Sequence, residues 1–273
     1  MRAEVHLAPN ARKSPHLLLM TLGGPPYCLQ LALLARALDA SRLCLDYGPN
    51  RYEGVGEREA RKEDWGDPAY LAAAALVPAR LRASGAEVSK LVLVGVSYSG
   101  FANAELVARH PELRPAVLVV VDSYLDLPAR YQALPPSHET RREIETVIGG
   151  TLAQLPAAYA QRSPSNHLDG LADAIRHGMR FVDVWSVSVQ EQREFNGATC
   201  SRSAHALWLA ELAGLLGRPV VGYVTQMQHA HALWDRGREV LALAGVGSGR
   251  RPFVPAEVLF RPGQAPPPGS YCS

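Results

Sequence analysis

The chain has little of what would settle its class at once. No apolar run approaches the roughly 20 residues that cross a bilayer; the longest lie near 70–78. The opening MRAEVHLAPNARKSPH has no continuous apolar segment of the secretory kind, and both features point to a soluble, cytoplasmic protein without membrane contact. The four cysteines, Cys28, Cys44, Cys200 and Cys272, show no CxxC spacing, which argues against a metal site and against a disulfide. Cys28 and Cys44 adjoin apolar stretches where a free thiol fits as a small hydrophobe. Walker A and GxGxxG sequences are missing and the histidines lack metal-ligand spacing, so no cofactor and no metal are expected. A basic patch is missing too. Twenty-eight Lys and Arg face 26 Asp and Glu, scattered through helical stretches, which is a poor match to a nucleic-acid partner.

What the 273 residues do contain is 47% hydrophobic side chains, enough for one sizeable core and too many for a disordered chain. Short Val- and Leu-rich runs alternate with longer Ala/Leu/charged stretches, the pattern of an α/β domain with a mostly parallel sheet flanked by helices. Strands are expected at 17–21, 42–46, 90–95, 116–121, 219–225 and 256–260, with 181–189 a weaker case. Pro68 to Ser84 reads as one helix opened by Asp67 as N-cap. Between about 130 and 205 the alternation lapses into helix-compatible sequence, read as a lid insertion within a single domain spanning 1–273. The Pro/Gly-rich stretch 261–273 reads as a flexible tail.

Gly95-Val96-Ser97-Tyr98-Ser99-Gly100 follows the clearest strand and opens a helix. In that context G-x-S-x-G is a nucleophile elbow, because a sharp strand-to-helix turn needs small neighbours around the serine. Ser99 holds the place usually taken by glycine and is still small. A serine at a helix N-terminus also lies among backbone N–H groups suited to an oxyanion. Leu22-Gly23-Gly24-Pro25 follows the first core strand, where a second oxyanion donor is needed. A plain βα turn with a capping serine and an ordinary Gly-Pro turn are the structural alternatives.

From 17 to 121 this order of elements resembles the α/β-hydrolase fold. Leu118-Val-Val-Val-Asp122-Ser-Tyr124, after the strand that follows the elbow, is similar to the V-D-S/T-Y turn of thioesterases that release polyketide and nonribosomal peptide products in biosynthesis. The resemblance implies a helical lid, Ser97 as nucleophile, Asp122 as acid, and the N–H groups of Tyr98 with Leu22 or Gly23 as oxyanion donors. It also implies a Gly-x-His turn near the C-terminus. The chain has Pro262-Gly263-Gln264-Ala265 there, and no histidine follows His231. Without a base a serine hydroxyl is a poor nucleophile. His229, just past the strand 219–225, is the preferred substitute and His231 the alternative. Asp126 and Asp235 are lesser acid candidates, and Trp185, Trp208 and Trp234 are candidates for lining a lid cavity or for packing.

The expected function is therefore a serine hydrolase of thioesterase or esterase type. Its partner is a small-molecule acyl (thio)ester, free or on a carrier protein, and its acyl acceptor is water or an internal nucleophile. The rival of a different class is an altered hydrolase-fold protein acting in binding, cyclisation or partner interaction. A small-molecule esterase or aminopeptidase is a third reading, because a Gly-Gly-Pro-Pro loop also occurs in proline-releasing peptidases.

Overall fold

Val117–Val121 is completely buried on both sides, as its uninterrupted branched sequence predicts for a central parallel strand. In the computed structural model, which describes residues 2–8, 17–46, 64–86, 88–186, 201–247 and 253–265, that segment lies within one eight-stranded sheet. The strands are β1 Arg2–His6, β2 Leu17–Leu22, β3 Ser41–Asp46, β4 Lys90–Val96, β5 Val117–Val121, β6 Arg180–Ser186, β7 Val220–Thr225 and β8 Ala256–Phe260, ordered β1-β3-β2-β4-β5-β6-β7-β8. Neighbours from β3 to β7 pair in parallel. The two edge strands, β1 and β8, run antiparallel.

Side chains alternate across the sheet and build two cores. Val92, Val94, Val117, Val119 and Val121 meet α1 (Pro25–Leu38) and α10 (His231–Leu243) on one face. Leu91, Leu93, Leu118 and Val120 meet α4 (Tyr98–Arg109), α8 (Leu168–Arg176) and α9 (Ser201–Leu216) on the other. The period-2 pattern thus sends β4 and β5 straight through the centre, and the chain leaves both strands at the same sheet edge.

Two expectations change and one weaker case holds. The helix expected over Pro68–Ser84 is two, α2 Pro68–Ala75 and α3 Val77–Ala83, since Pro78 has no N–H to continue the ladder; Asp67 caps α2 as read, accepting from Tyr70 N at 3.0 Å. The weaker strand case at 181–189 holds, as β6 Arg180–Ser186. Helices α5 Leu127–Ala133, α6 Glu139–Ile148 and α7 Pro156–Gln161 precede α8, and β6 then returns to the sheet. Residues 187–200 lie outside the described residues, as do 266–273 of the expected tail; Arg261 to Ala265 are described and follow β8 directly. Against expectation, Cys28 and Cys44 are joined in a disulfide, with Cα atoms 5.4 Å apart. Spacing along the chain missed it because the pairing is spatial: the first turns of α1 lie over β3.

Helix α4 carries one side chain with no place in the sequence reading. Glu105 is fully buried, bonded to Arg109 Nε at 2.5 Å, with His167 Nε2 3.7 Å away. Burial drives its carboxyl from 4.5 up to about 7, against the pull of the Arg109 guanidinium. The folded state therefore holds this proton more tightly than the unfolded chain, so its contribution is full below pH 4.5 and is lost as pH rises towards 7. Urea midpoints taken from pH 4.5 to 7.5 are expected to fall more steeply for wild type than for Glu105→Gln; parallel curves refute the assignment.

Candidate active site

Ser97 sits between β4 and α4 at φ 53°, ψ −125°, a backbone state that costs of order 1–3 kcal/mol and persists only where the surroundings impose it. The imposing contacts are visible. A Cβ on Gly95 would stand 2.5 Å from the Ser99 carbonyl carbon and 2.6 Å from Gly100 N, and one on Gly100 would meet Ser123 Oγ. Only glycine fits at both ends of the turn. Ser99, in the third small position, is satisfied locally: its hydroxyl accepts from Val96 N at 2.8 Å and lies 2.9 Å from Val96 O. Ser97 N donates to Val121 O at 2.9 Å, which fixes the elbow beside the end of β5. The Ser97 side chain makes no capping hydrogen bond to α4 and is half-buried. It is not the ordinary N-cap of the structural alternative.

Asp122 follows directly at the end of β5, also at positive φ (49°) and 1% exposed. Its Oδ1 accepts from Ser186 N at 2.5 Å, and its Oδ2 from Ser186 Oγ at 2.9 Å and Ala230 N at 2.8 Å. The last bond ties the carboxylate to the turn Gln226–Ala230 after β7, which carries His229. Gln228 O lies 3.3 Å from Ser186 Oγ in the same turn, and Met227 N donates to Thr225 Oγ1 at 3.2 Å. The ends of β4, β5 and β7 thus bring Ser97, Asp122 and the His229 turn to one edge of the sheet. β7 is the last parallel strand and β8 is an antiparallel addition. His229 and His231 both follow this last parallel strand, whereas Pro262–Ala265 follows the antiparallel β8.

His231 goes elsewhere. It opens α10, and its Nδ1 lies 2.8 Å from Asp235 Oδ2, both side chains about half exposed. Asp235 is thereby occupied as well. Asp126 caps α5 through Ala129 N at 2.7 Å. Trp185 and Trp208 are core residues, against Phe260 and Phe181 respectively, and Trp234 is 41% exposed on α10. Among the described residues no cluster of His, Cys, Asp and Glu has the makings of a metal site.

The oxyanion assignment needs correction. Leu22 N donates to Asn103 Oδ1 at 3.1 Å and Gly23 N to Leu45 O at 2.9 Å, so both expected loop donors are already committed. Gly24, the next residue and the N-cap of α1, is the remaining N–H before Pro25 and Pro26. Tyr98 N, at the first helical position, has no acceptor within its own helix. The Tyr98 ring is held in place by the buried Asp64, whose carboxylate accepts from the phenol, and stands edge-on to Trp65 at 5.3 Å. Arg162, beyond α7, donates to Asp64 O at 2.9 Å, so the helical excursion braces the residue next to Ser97. Asp64, Arg162 and Ser186 were all missed by the sequence reading, since each acts across a long stretch of chain.

No family model and no curated protein sequence matches the chain. Solved structures do. A Mycobacterium tuberculosis puromycin-hydrolyzing peptidase is similar over 93% of this chain and 39% of its own, at 17% identity and TM-score 0.60. An esterase/lipase from an uncultured bacterium is similar over 90% of this chain and 78% of its own, at 17% identity and TM-score 0.53. The Mycobacterium tuberculosis protein MPT51 (FbpC1) is similar over 90% of this chain and 93% of its own, at 15% identity and TM-score 0.54. The chain spans about two fifths of the length of the peptidase. At such identities the likeness defines the fold: this is an α/β-hydrolase-fold protein.

Ser186 Oγ is a side-chain donor to the Asp122 carboxylate. A hydrogen bond to a buried charge contributes about 1.5–3 kcal/mol. Ser186→Ala is expected to lower unfolding free energy by about 2 kcal/mol in urea titration; a change within 0.5 kcal/mol would show that Asp122 is held without this hydroxyl.

Proposed function

We propose that the protein is a serine hydrolase acting on acyl bonds, with Ser97 as nucleophile, His229 as base and Asp122 as acid. The observation that carries this reading is the hydrogen bond from Ala230 to Asp122, which links the His229 turn to a buried carboxylate adjoining the strained elbow. In the proposed reaction His229 takes the hydroxyl proton as Ser97 Oγ attacks the acyl carbonyl. Asp122 orients the imidazole and stabilises its charged form. Tyr98 N–H and Gly24 N–H receive the oxyanion, and a water then releases the acyl group.

The finer reading is a (thio)esterase whose small acyl substrate arrives free or on a carrier protein in the cytoplasm. The V-D-S-Y turn at 121–124 favours it, and α5–α7 supply the lid. The fold likeness to a puromycin-hydrolyzing peptidase adds amide substrates to the series worth assaying. A second reading, a hydrolase fold that binds without cleaving, draws on one feature: Leu22 N–H and Gly23 N–H are both satisfied internally.

A fluorophosphonate is expected to label wild type and not Ser97→Ala. On p-nitrophenyl esters of graded chain length, with acyl thioesters and aminoacyl anilides alongside, His229→Ala is expected to lower kcat by about 10²–10⁴-fold, and His231→Ala by less than about twofold. Labelling that survives Ser97→Ala sinks the nucleophile assignment. An unlabelled wild type, inactive on every ester, thioester and anilide, leaves the binding reading.

A further inference from the structure

We propose that Cys28–Cys44 is a thiol-exchange site through which an external dithiol reductant controls the loop that holds the oxyanion; this rests on the hydrolase reading above. The disulfide joins α1 to β3 immediately beside that loop. Both sulfurs touch the Gly23 carbonyl oxygen, at 3.7 Å for Cys28 and 3.9 Å for Cys44. Gly23 N is bonded in turn to Leu45 O, the neighbour of Cys44, and Gly24 O accepts from Cys28 N at 3.2 Å. The loop is therefore held to β3 by a hydrogen bond at position 45, and the helix that follows it by a covalent bond at position 44.

The bond is reachable. Cys28 and Cys44 line a surface cavity of about 320 Å³, with Pro25, Leu29 and Arg42 among its other walls. Cys28 is half-buried, whereas Cys44 is 1% exposed, so an incoming thiolate meets the Cys28 sulfur first. Its attack forms a mixed disulfide with Cys28 and expels Cys44 as a thiolate, which takes up a proton. The second thiol of the reductant then attacks its own sulfur in the mixed disulfide and releases Cys28. Two electrons pass from the dithiol, which leaves as a cyclic disulfide, and the protein holds two thiols.

Reduction then has a steric consequence. Two thiol sulfurs do not stay at bonding distance, so at least one moves in a close-packed setting whose nearest polar neighbour is Gly23 O. The displacement falls on Gly23 and Gly24, and an oxyanion donor out of position lowers kcat more than it alters substrate binding. A disulfide reached from the cavity through its half-buried Cys28 suits redox sensing in a reducing compartment and is kept closed in an oxidising one.

The test uses the full chain in a Cys200→Ser, Cys272→Ser background, oxidised or treated with dithiothreitol, with thiol status read by alkylation and peptide mass. Reduction is expected to speed amide exchange at residues 22–28 while the sheet stays protected. It is also expected to lower kcat on a p-nitrophenyl ester at least about tenfold with KM within twofold, reversed by oxidised glutathione. Cys28→Ala with Cys44→Ala should sit at the reduced level under both conditions. Equal exchange and turnover in the two verified redox states overturn the proposal. So does a disulfide that the dithiol leaves intact, and so does exchange that accelerates across the whole sheet. Faster loop exchange with no turnover in either state upholds the exchange site and overturns the hydrolase reading instead.

Discussion

A carboxylate taken almost wholly out of water is costly unless hydrogen bonds replace its hydration, and the Asp122 side chain accepts from Ser186 and Ala230, in two distant segments. That requirement dictates much of the local architecture. Ser186 must end β6 within reach, so β6 cannot drift in register against β5. The turn after β7 must bring its 230 amide inward, which anchors the segment that carries His229 to this carboxylate. Ser97, held through its amide to Val121 O, inherits a fixed position relative to the same carboxylate. One buried charge thus sets the mutual placement of three strand ends.

The elbow was legible because its determinants are local: a strand, two glycines at 95 and 100, and a helix, all within a dozen residues. Asp122 drew attention through its place after the next strand. Ala256–Phe260 was correctly read as a strand, but nothing in its composition reveals that it pairs antiparallel at the edge, so the segment after it does not follow a parallel strand. Ser186 and Ala230 stand 64 and 108 residues from Asp122, beyond any spacing rule.

The oxyanion loop illustrates the same limit at finer scale. The glycines after β2 suggested a backbone donor there. Which amides stay available is decided by the competing acceptors, Asn103 Oδ1 and Leu45 O, and these belong to α4 and β3. Similarly, the Cys28–Cys44 pairing needs the packing of α1 on β3 before it can be seen. Residue type identified the segments that matter; long-range acceptors and partners assigned the atoms.

Backbone strain offers an independent view of the same edge. Six described non-glycine residues have positive φ: Asp39, Trp65, Ser97, Arg114, Asp122 and Ala230. Asp39 and Arg114 end helical segments in the left-handed state, where that conformation is ordinary. The other four have no such excuse. Ser97 and Asp122 end adjacent strands, Ala230 follows His229 and donates to Asp122, and Trp65 stands edge-on to Tyr98 beside the Asp64 that binds its phenol. Strain of this kind survives where surrounding contacts over-determine it, and in this chain those contacts converge on the residues around one serine. A fold that needed only stability would have relieved it with glycine at these positions, as it does at many of its other turns.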